Sequence, residues 1–258
     1  MESEFYTYPG EYYDALMTEV DYPAWGRFVT GCVERFAGRE INTVLDLACG
    51  TGKLTEVLCR LGYDMTALDF SPEMLARAAP KLSEFRDPDV LLLQGDMRDF
   101  ELNDTVDCTV CALDSVNYLT GRGDLLKCFK RVSLFMNPGG LFLLDVDTPY
   151  KFREVYGMRD YVLESDGLLC AWKNYYDEEK GICDFELSFF EERPDGSYIR
   201  TDEYERERCY TRRMIENALT KAGFEVCGFF SGEPFDSFVE ATDTDERWMI
   251  AARKINGK

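Results

Sequence analysis

Histidine is absent from this chain of 258 residues, and its absence excludes whole classes of chemistry. Ser-His-Asp and Cys-His nucleophilic sites need an imidazole, and so do HExxH metal sites. Any proton transfer must therefore use a carboxyl group, a tyrosine, a lysine or water. The sequence also lacks an apolar run of roughly 18–20 residues, so it predicts no membrane span.

Positive charge is scarce as well. The 29 lysines and arginines are outnumbered by 49 aspartates and glutamates, which gives a net charge of −20. A field of this sign repels nucleic acid, and the basic clusters here are interleaved with glutamates. We therefore expect no DNA partner and favour a small or cationic substrate, although acidity also serves solubility alone. The N-terminal residues lack the basic and apolar segments of a secretion signal, which predicts a cytoplasmic protein.

The ten cysteines are scattered along the chain, and we expect reduced thiols that are mostly buried as small apolar groups. Cys108 and Cys111 match a CxxC pattern, but they fall in an apparent strand, where positions three apart face opposite sides. No second pair completes a zinc site, so the sequence predicts no metal.

Near-continuous apolar segments alternate with helical patterns between residues 43 and 144. Such segments indicate a parallel sheet that is covered by helices on both faces. From about residue 159, alternating strands follow, joined by tight turns such as Arg193-Pro194-Asp195-Gly196. A helix and two further strands close the chain. We therefore predict an α/β fold, a doubly wound seven-stranded Rossmann-like sheet with an antiparallel β insertion.

The predicted organisation assigns residues 1–158 and 211–258 to one domain, with helices in residues 10–37 as its cap. Residues 159–210 form the β insertion, either a substrate lid or a dimer surface. Its last strand would place polar side chains on one face, and we expect that face to roof a substrate pocket or to be solvated: Tyr198, Arg200, Asp202, Tyr204, Arg206, Arg208 and Tyr210.

Acidic residues and glycines stand at the ends of three successive predicted strands. Asp46 ends the first strand and is followed by Gly50 and Gly52, which let the backbone approach a ligand closely. Asp69 ends the second strand, where it could accept both hydroxyls of a ribose. Asp96 follows the third, where an adenine amino group could donate to it. Ligands of open parallel sheets bind at these carboxyl ends, so the pattern predicts a nucleoside cofactor.

The glycine loop favours one cofactor over another. A dinucleotide site has the pattern GxGxxG, but Thr55 stands where the third glycine would be. Asp46 would repel a pyrophosphate and attract a ligand that carries ammonium and sulfonium charges. At roughly 6 Å and an effective dielectric constant near 20, each such pair is worth about 2–3 kcal/mol. The charges therefore favour S-adenosylmethionine.

Five motifs together resemble the class I S-adenosylmethionine-dependent methyltransferases. They are DLACGTG (46–52), ALDFSPEML (67–75), QGDMRDF (94–100), VDCTVCALDSVNYL (106–119) and the NPGG turn (137–140). More narrowly, the chain resembles small bacterial methyltransferases with a YD-x-L-M segment, here Tyr13–Met17, and a β insertion after strand five. The Asn/Asp-Pro-Pro-Tyr motif of base and glutamine N-methyltransferases is replaced by Leu113–Tyr118.

The resemblance implies methyl transfer from S-adenosylmethionine to nitrogen or oxygen of a small-molecule acceptor, by in-line displacement, in a monomer or homodimer. It implies a cofactor-binding set that comprises Tyr13, Trp25, Asp46, Ala48, Gly50, Gly52, Asp69, Phe70, Met74, Asp96, Met97 and Leu113. If the acceptor arrives protonated, the candidate catalytic groups are Asp114, Tyr118 and Tyr13, with Asp145 as a further candidate base. A non-catalytic S-adenosylmethionine-binding protein and an NAD-dependent oxidoreductase remain open as alternatives.

Overall fold

The computed structural model describes residues 20–85, 90–165, 167–232 and 234–255. Its first helix is α1 (Tyr22–Phe36), which begins where the sequence predicts a helix start at Pro23. The Asp21 carboxylate accepts a hydrogen bond of 2.8 Å from the Ala24 amide and so caps the helix. Residues 10–19 of the predicted cap, with the YD-x-L-M segment and Tyr13, lie outside the described residues.

The α-helices and strands after α1 alternate before the insertion and again after it. In chain order they are β1 (Thr43–Leu47), α2 (Lys53–Arg60), β2 (Asp64–Asp69), α3 (Pro72–Leu82), β3 (Leu91–Gln94), β4 (Val106–Cys111), α4 (Asp124–Leu134), β5 (Met136–Asp147), β6 (Tyr161–Ser165), β7 (Leu168–Asp177), β8 (Ile182–Glu192), β9 (Tyr198–Arg208), α5 (Arg212–Ala222), β10 (Phe224–Ser231) and β11 (Arg247–Lys254). Short helical turns occupy Ser115–Tyr118, Lys151–Val155, Tyr156–Met158 and Phe235–Ser237.

Seven strands form the main sheet in the order β10-β11-β5-β4-β1-β2-β3. The pairs from β5 to β3 are parallel, whereas β11 pairs antiparallel with both β5 and β10. The strand order reverses between β1 and β4, which places a ligand crevice at the carboxyl ends of these two strands. The predicted doubly wound seven-stranded sheet is thus confirmed.

Each face of the main sheet buries its own apolar core. Leu45, Cys111 and Phe142 belong to the core on one face, and Val44 and Cys108 to the core on the other. Cys108 and Cys111 therefore do face opposite sides, as the strand periodicity predicts. All ten cysteines are free thiols, seven of them buried.

The NPGG segment is part of a strand. It is not the turn that the motif suggests, because α4 already ends at Leu134 and β5 begins at Met136. The backbone of β4 passes so close that a Cβ atom on Gly140 would lie 2.3 Å from the Asp107 carbonyl oxygen. These glycines therefore serve the packing of two neighbouring strands. Among the described residues, none of the helices combines the length and apolar character that crossing a membrane requires.

The insertion forms a separate antiparallel sheet in the order β6-β7-β8-β9. One face of this sheet is buried against the helical turns that follow β5, where Phe185 contacts the rings of Tyr156 and Trp172. The predicted alternation of Cys183, Phe185, Leu187 and Phe189 along β8 is thus confirmed, because all four are buried on this face.

Strand β9 corrects the expectation for its two faces. Arg200, Tyr204 and Arg206 lie on the solvent side, and the Arg206 side chain is 52% exposed and pairs with Asp184. The predicted pocket-roofing face is therefore solvated, as the alternative expectation had it. The opposite face is buried and carries three glutamates, Glu203, Glu205 and Glu207.

Candidate active site

A cavity of about 390 Å³ opens at the carboxyl ends of β1, β2, β3 and β4. Eight residues of the predicted cofactor-binding set line it: Ala48, Gly50, Asp69, Phe70, Met74, Asp96, Met97 and Leu113. The segment after β4 completes the wall with residues that include Ser115, Tyr118, Thr120 and Asp124. The fold thus brings most of the predicted set to one place.

The loop after β1 turns sharply, and three of its residues have positive φ angles. These are 64° at Ala48, 54° at Gly50 and 78° at Gly52. Gly52 does not line the cavity. A Cβ atom there would lie 3.0 Å from the Ala78 Cβ atom, so this glycine lets the loop pack against α3. Its contribution to the site is therefore indirect.

Asp69, at the end of β2, holds the loop and faces the cavity at once. Its Oδ2 accepts a hydrogen bond of 2.8 Å from the Gly50 amide, and its Oδ1 accepts one of 2.8 Å from the Ser71 amide. A carboxylate has about four acceptor sites, so each oxygen can accept another hydrogen bond. Burial raises the pKa of Asp69, while the two amides lower it. The two oxygens can receive the pair of hydroxyls of a ribose.

Asp46 lies beneath the loop at the other end of the crevice. It is 1% exposed and accepts a hydrogen bond of 2.6 Å from Thr55 Oγ1. A small second cavity connects it to the first, since Ala48, Gly50 and Leu113 line both. Burial raises the pKa of Asp46 to about 7. A cationic ligand group nearby would favour the ionised carboxylate, which agrees with a cofactor that carries ammonium and sulfonium charges.

Asp96 is held by the arginine that follows it closely in sequence. Arg98 donates to both carboxylate oxygens and thereby lowers the pKa of Asp96. The same guanidinium donates to Asp124 Oδ2 at 2.8 Å. These three side chains form one side of the cavity, so Asp96 meets a ligand as a positioned carboxylate.

Trp25 does not reach the cofactor cavity. This side chain is 2% exposed and packs in the core, edge-on to Phe28 with the ring centroids 5.9 Å apart. The expectation that Trp25 covers the cofactor is therefore wrong. The residue lies on the apolar stripe of α1, and the sheet beneath that stripe buries it.

The segment after β4 separates two neighbouring side chains. Leu113 and Asp114 both have left-handed backbone angles, with φ of 58° and 51°. Leu113 faces the cofactor cavity, whereas Asp114 pairs with Arg247, its Oδ1 lying 2.7 Å from Nη2. Non-glycine residues rarely adopt this conformation, and when they do it often marks a functional site.

Asp114 belongs to a group of acidic side chains that we name the carboxylate cluster: Asp114, Asp145, Asp147, Glu205 and Glu207. Arg247 Nη2 lies 3.2 Å from Asp147 Oδ1, and its Nη1 donates to Asp145. Lys151 Nζ lies 2.8 Å from Asp147 Oδ2. Among the described residues, these two cations are the ones paired with the cluster.

The cluster continues onto the inner face of β9. Tyr118, which lines the cofactor cavity, donates a hydrogen bond of 2.7 Å to Glu205 Oε2. Burial raises the pKa of Glu205 to about 7. Burial, together with Asp114 and Asp147, raises the pKa of Glu207 well above its ordinary value. Burial also acts on Asp147, but Lys151 and Arg247 outweigh it and lower the pKa of that carboxyl.

The candidate base Asp145 has a different position from the one expected. Its side chain is fully buried, its carboxylate accepts from the Asp114 amide at 3.2 Å, and Arg247 donates to it. These partners occupy its two oxygens, so Asp145 holds the segment after β4 and Arg247 in place. Asp114 and Tyr118 are both at the site, and their catalytic roles stay predictions.

The sequence reasoning missed Asp147, Glu205, Glu207 and Arg247. The alternation along β9 does contain the signal, because it places Glu203, Glu205 and Glu207 on one face. A row of glutamates reads as solvated, and only the contact between the two sheets turns this face inward. Arg247 stands at the start of an apolar strand, 100 residues after Asp147, and no local pattern joins the two.

Comparisons with known proteins agree with this geometry. The sequence profile of a methyltransferase domain family matches residues 44–140. The crystal structure of an S-adenosylmethionine-dependent methyltransferase from Clostridium acetobutylicum is 31% identical, with a TM-score of 0.84, and the match covers 95% of this chain and 97% of that one. The chain belongs to the S-adenosylmethionine-dependent methyltransferases.

Two curated relatives are similar over much of their length. A Geobacillus protein that is named as a methyltransferase without a substrate is 30% identical, and the match covers 94% of this chain and 97% of that protein. A dTDP-3-amino-3,6-dideoxy-α-D-glucopyranose N,N-dimethyltransferase of Streptomyces fradiae is 29% identical, with 74% and 73% covered. The present chain uses S-adenosylmethionine, and its own residues fit this cofactor. The two oxygens of Asp69 suit a ribose, and the buried Asp46 suits a cation.

Proposed function

We propose that this methyltransferase methylates a nitrogen atom of a small amine. The observation that carries the proposal is the position of the carboxylate cluster next to the cofactor cavity. Leu113 and Tyr118 line that cavity, while Asp114 and Glu205, beside and behind them, belong to the cluster. From the resemblance to the family, we expect Leu113 to lie near the sulfonium end of the cofactor. An acceptor at that end would therefore lie against the carboxylates.

The charge of the cluster selects among acceptors. Of its five carboxyl groups, the three aspartates pair with two cations, Arg247 and Lys151. A cation placed about 5 Å from one uncompensated carboxylate gains about 3 kcal/mol at an effective dielectric constant near 20. A carboxylate or phosphate at the same place would lose as much. An ammonium group at the cluster fits this field, whereas an acidic group at the same place is repelled.

The residues around the acceptor would act mainly by position. Bound S-adenosylmethionine supplies an activated methyl group, which moves to the acceptor by in-line displacement. The buried walls from the two sheets exclude water, and the carboxylates orient the amine toward the cavity. An ammonium ion has no free lone pair, so one cluster carboxylate must also take a proton from the nitrogen before the N–C bond forms.

The relatives support the same acceptor class. The Streptomyces fradiae protein is named for methylation of a nucleotide-linked amino sugar, at 29% identity over 74% of this chain. We extend the proposal to a bacterial protein that works in the cytoplasm as a monomer or homodimer, with the β insertion as the acceptor lid. The buried glutamates of β9 support the lid, since they lie on the side of the insertion that faces the cluster.

A transfer assay tests the acceptor class. We expect methyl transfer from isotopically labelled S-adenosylmethionine to amines such as glycine, sarcosine and dTDP-linked amino sugars. The matched control acceptors replace each amino group by a hydroxyl group, and we expect their rates to be at least 100-fold lower. Faster transfer to the hydroxyl compounds, or to carboxylic acids, would overturn the proposal. Mass spectrometry of the product locates the methyl group.

A further inference from the structure

Glu207, in the carboxylate cluster, has a buried oxygen that no hydrogen bond reaches. The residue is 4% exposed, and its Oε2 atom has no hydrogen-bond partner among the described residues. Tyr118 donates to Glu205, and Arg247 pairs with both Asp114 and Asp145. A buried carboxyl group without a partner is costly, so it indicates a ligand or a proton at this place.

Glu207 lies close to two other carboxyl groups. One carboxylate oxygen each from Asp114, Asp147 and Glu207 lies within 4.8 Å of the other two. Asp147 Oδ1 is also buried and accepts no hydrogen bond, although Arg247 Nη2 lies 3.2 Å away in a poor orientation. Two of the three residues, Asp147 and Glu207, thus each have an oxygen with unused acceptor capacity.

The spacing suits an ammonium group. An ammonium nitrogen donates three hydrogen bonds in tetrahedral directions, so its acceptors at about 2.9 Å stand about 4.7 Å apart. Two cations already contact this triad: Arg247 occupies Asp114 Oδ1, and Lys151 lies 2.8 Å from Asp147 Oδ2. A divalent metal ion would need to approach both of them, whereas a single charge on nitrogen balances the unpaired Glu207.

We infer that Asp114, Asp147 and Glu207 bind the ammonium group of the acceptor and that Glu207 takes its proton; this rests on the proposed function. The Glu207 carboxylate receives one proton from the nitrogen and becomes neutral. The freed lone pair then forms the N–C bond with the methyl group as the C–S bond breaks, and sulfur keeps that electron pair. Glu207 finally releases the proton to water.

The surroundings of Glu207 favour this role. The groups that act on it or titrate around it include Asp114, Asp147, Lys151, Tyr156, Cys183 and Glu205, and Arg247 pairs with the first two of these. Acidic groups dominate this set, so burial and like charge raise the pKa of Glu207. A carboxylate whose pKa is raised is a stronger base than an ordinary glutamate. Its pKa is then closer to that of the ammonium group from which it takes the proton.

The first test needs no knowledge of the natural acceptor. Two probes are analogues of S-adenosylhomocysteine in which nitrogen replaces sulfur and carries either a 3-aminopropyl or an n-butyl arm. The arms have the same length, but only the first presents an ammonium group where the acceptor would lie. By calorimetry, we expect wild type to bind the aminopropyl probe about 10- to 100-fold more tightly. Glu207→Gln should reduce this preference to about threefold or less.

A matched control separates Glu207 from its neighbours. Glu203 is another buried glutamate on the same face of β9, two positions before Glu205. It does not belong to the triad of Asp114, Asp147 and Glu207. We expect Glu203→Gln to keep the full preference for the aminopropyl probe. S-adenosylhomocysteine itself should bind all three proteins equally, which also shows that the variants are folded.

The outcomes distinguish this inference from the proposed function. If wild type shows no preference for the ammonium arm, the amine acceptor itself is wrong. If wild type prefers it and Glu207→Gln does so equally, only the role of Glu207 is wrong. Micromolar binding of Mn²⁺ or Ca²⁺ that competes with the aminopropyl probe and is lost in Glu207→Gln would instead make the triad a metal site.

A pH profile then tests the proton transfer. With an amine that wild type methylates, Glu207→Gln should lower kcat about 100-fold or more near neutral pH. The loss should shrink at alkaline pH, because there the amine arrives without its extra proton. A purely structural role for Glu207 would lower the rate by the same factor at every pH and would overturn the assignment.

Discussion

The two halves of the active site are built in different ways. The cofactor half consists of loops at the ends of β1, β2 and β3, and its key contacts join residues that are close in sequence, such as Asp69 to Gly50 and Ser71. The proposed acceptor half joins β5, β9 and β11 to the segment after β4, across separations of up to 133 residues. The first half therefore depends on contacts that are local in sequence, whereas the second depends on tertiary contacts.

The halves also differ in how they balance charge. In the cofactor half, backbone amides and single partners satisfy each carboxylate, as Thr55 does for Asp46. In the acceptor half, several carboxylates compete for Arg247 and Lys151. Buried carboxylates without enough cations lower the stability of the fold, so we infer that this site is suited to bind a cationic ligand. The following predictions test this contrast.

The largest expected effect is on folding, and it comes from Arg247. In Arg247→Met, three aspartates lose their shared cation, and we expect the free energy of unfolding to fall by about 3–5 kcal/mol. Arg253 on the same strand pairs with Glu225 at the surface, so Arg253→Met should cost about 1 kcal/mol or less. Denaturant titration of the cofactor-free proteins measures both. Equal losses would contradict the buried network.

The same variant has a predictable dependence on pH. Burial already raises the pKa of Asp145 to about 7, and loss of Arg247 raises it further. A carboxyl group whose pKa is higher in the folded state contributes stability below its unfolded pKa and loses it as pH rises through the folded pKa. The free energy of unfolding that Arg247→Met loses relative to wild type should therefore be larger at pH 8 than at pH 6.

The next effect is on cofactor affinity. In Asp69→Ala the ribose loses its predicted carboxylate partner and the Gly50 loop loses its anchor, so we expect affinity for S-adenosylhomocysteine to fall about 100-fold or more. Asp64 stands at the opposite, exposed end of the same strand, so Asp64→Ala serves as the control. Calorimetric titration compares the two variants. Unchanged binding by Asp69→Ala would remove the basis of the cofactor half.

The smallest effect is expected on the outer face of β9. Arg206→Ala removes an exposed ion pair with Asp184, so unfolding should change by less than about 1 kcal/mol and methyl transfer should not change. One position along the strand, Glu207→Gln should strongly lower transfer. If Arg206→Ala lowered the rate of methyl transfer more than about tenfold, the result would indicate that the acceptor pocket lies on the outer face of β9.

Sequence reasoning was accurate where contacts are local. The strand-end acids and the glycine loop follow from spacing, because a parallel α/β sheet always brings its strand ends to one edge. It was wrong for Trp25, since an apolar stripe does not tell whether a large ring meets a ligand or a core. It left open whether the polar face of β9 roofs a pocket or is solvated, because alternation defines two faces without saying which one is covered.

The sequence by itself determined the sheet, the cofactor class and eight of the residues that line the cofactor cavity. These depend on periodicity and on charges within a few residues of one strand end, and both can be read directly from the chain. The tertiary structure alone decided the acceptor half. Burial of Glu207 and its approach to Asp114 and Asp147 require the insertion to fold back over β5, and the free energy of a buried charge depends on neighbours that are remote in sequence.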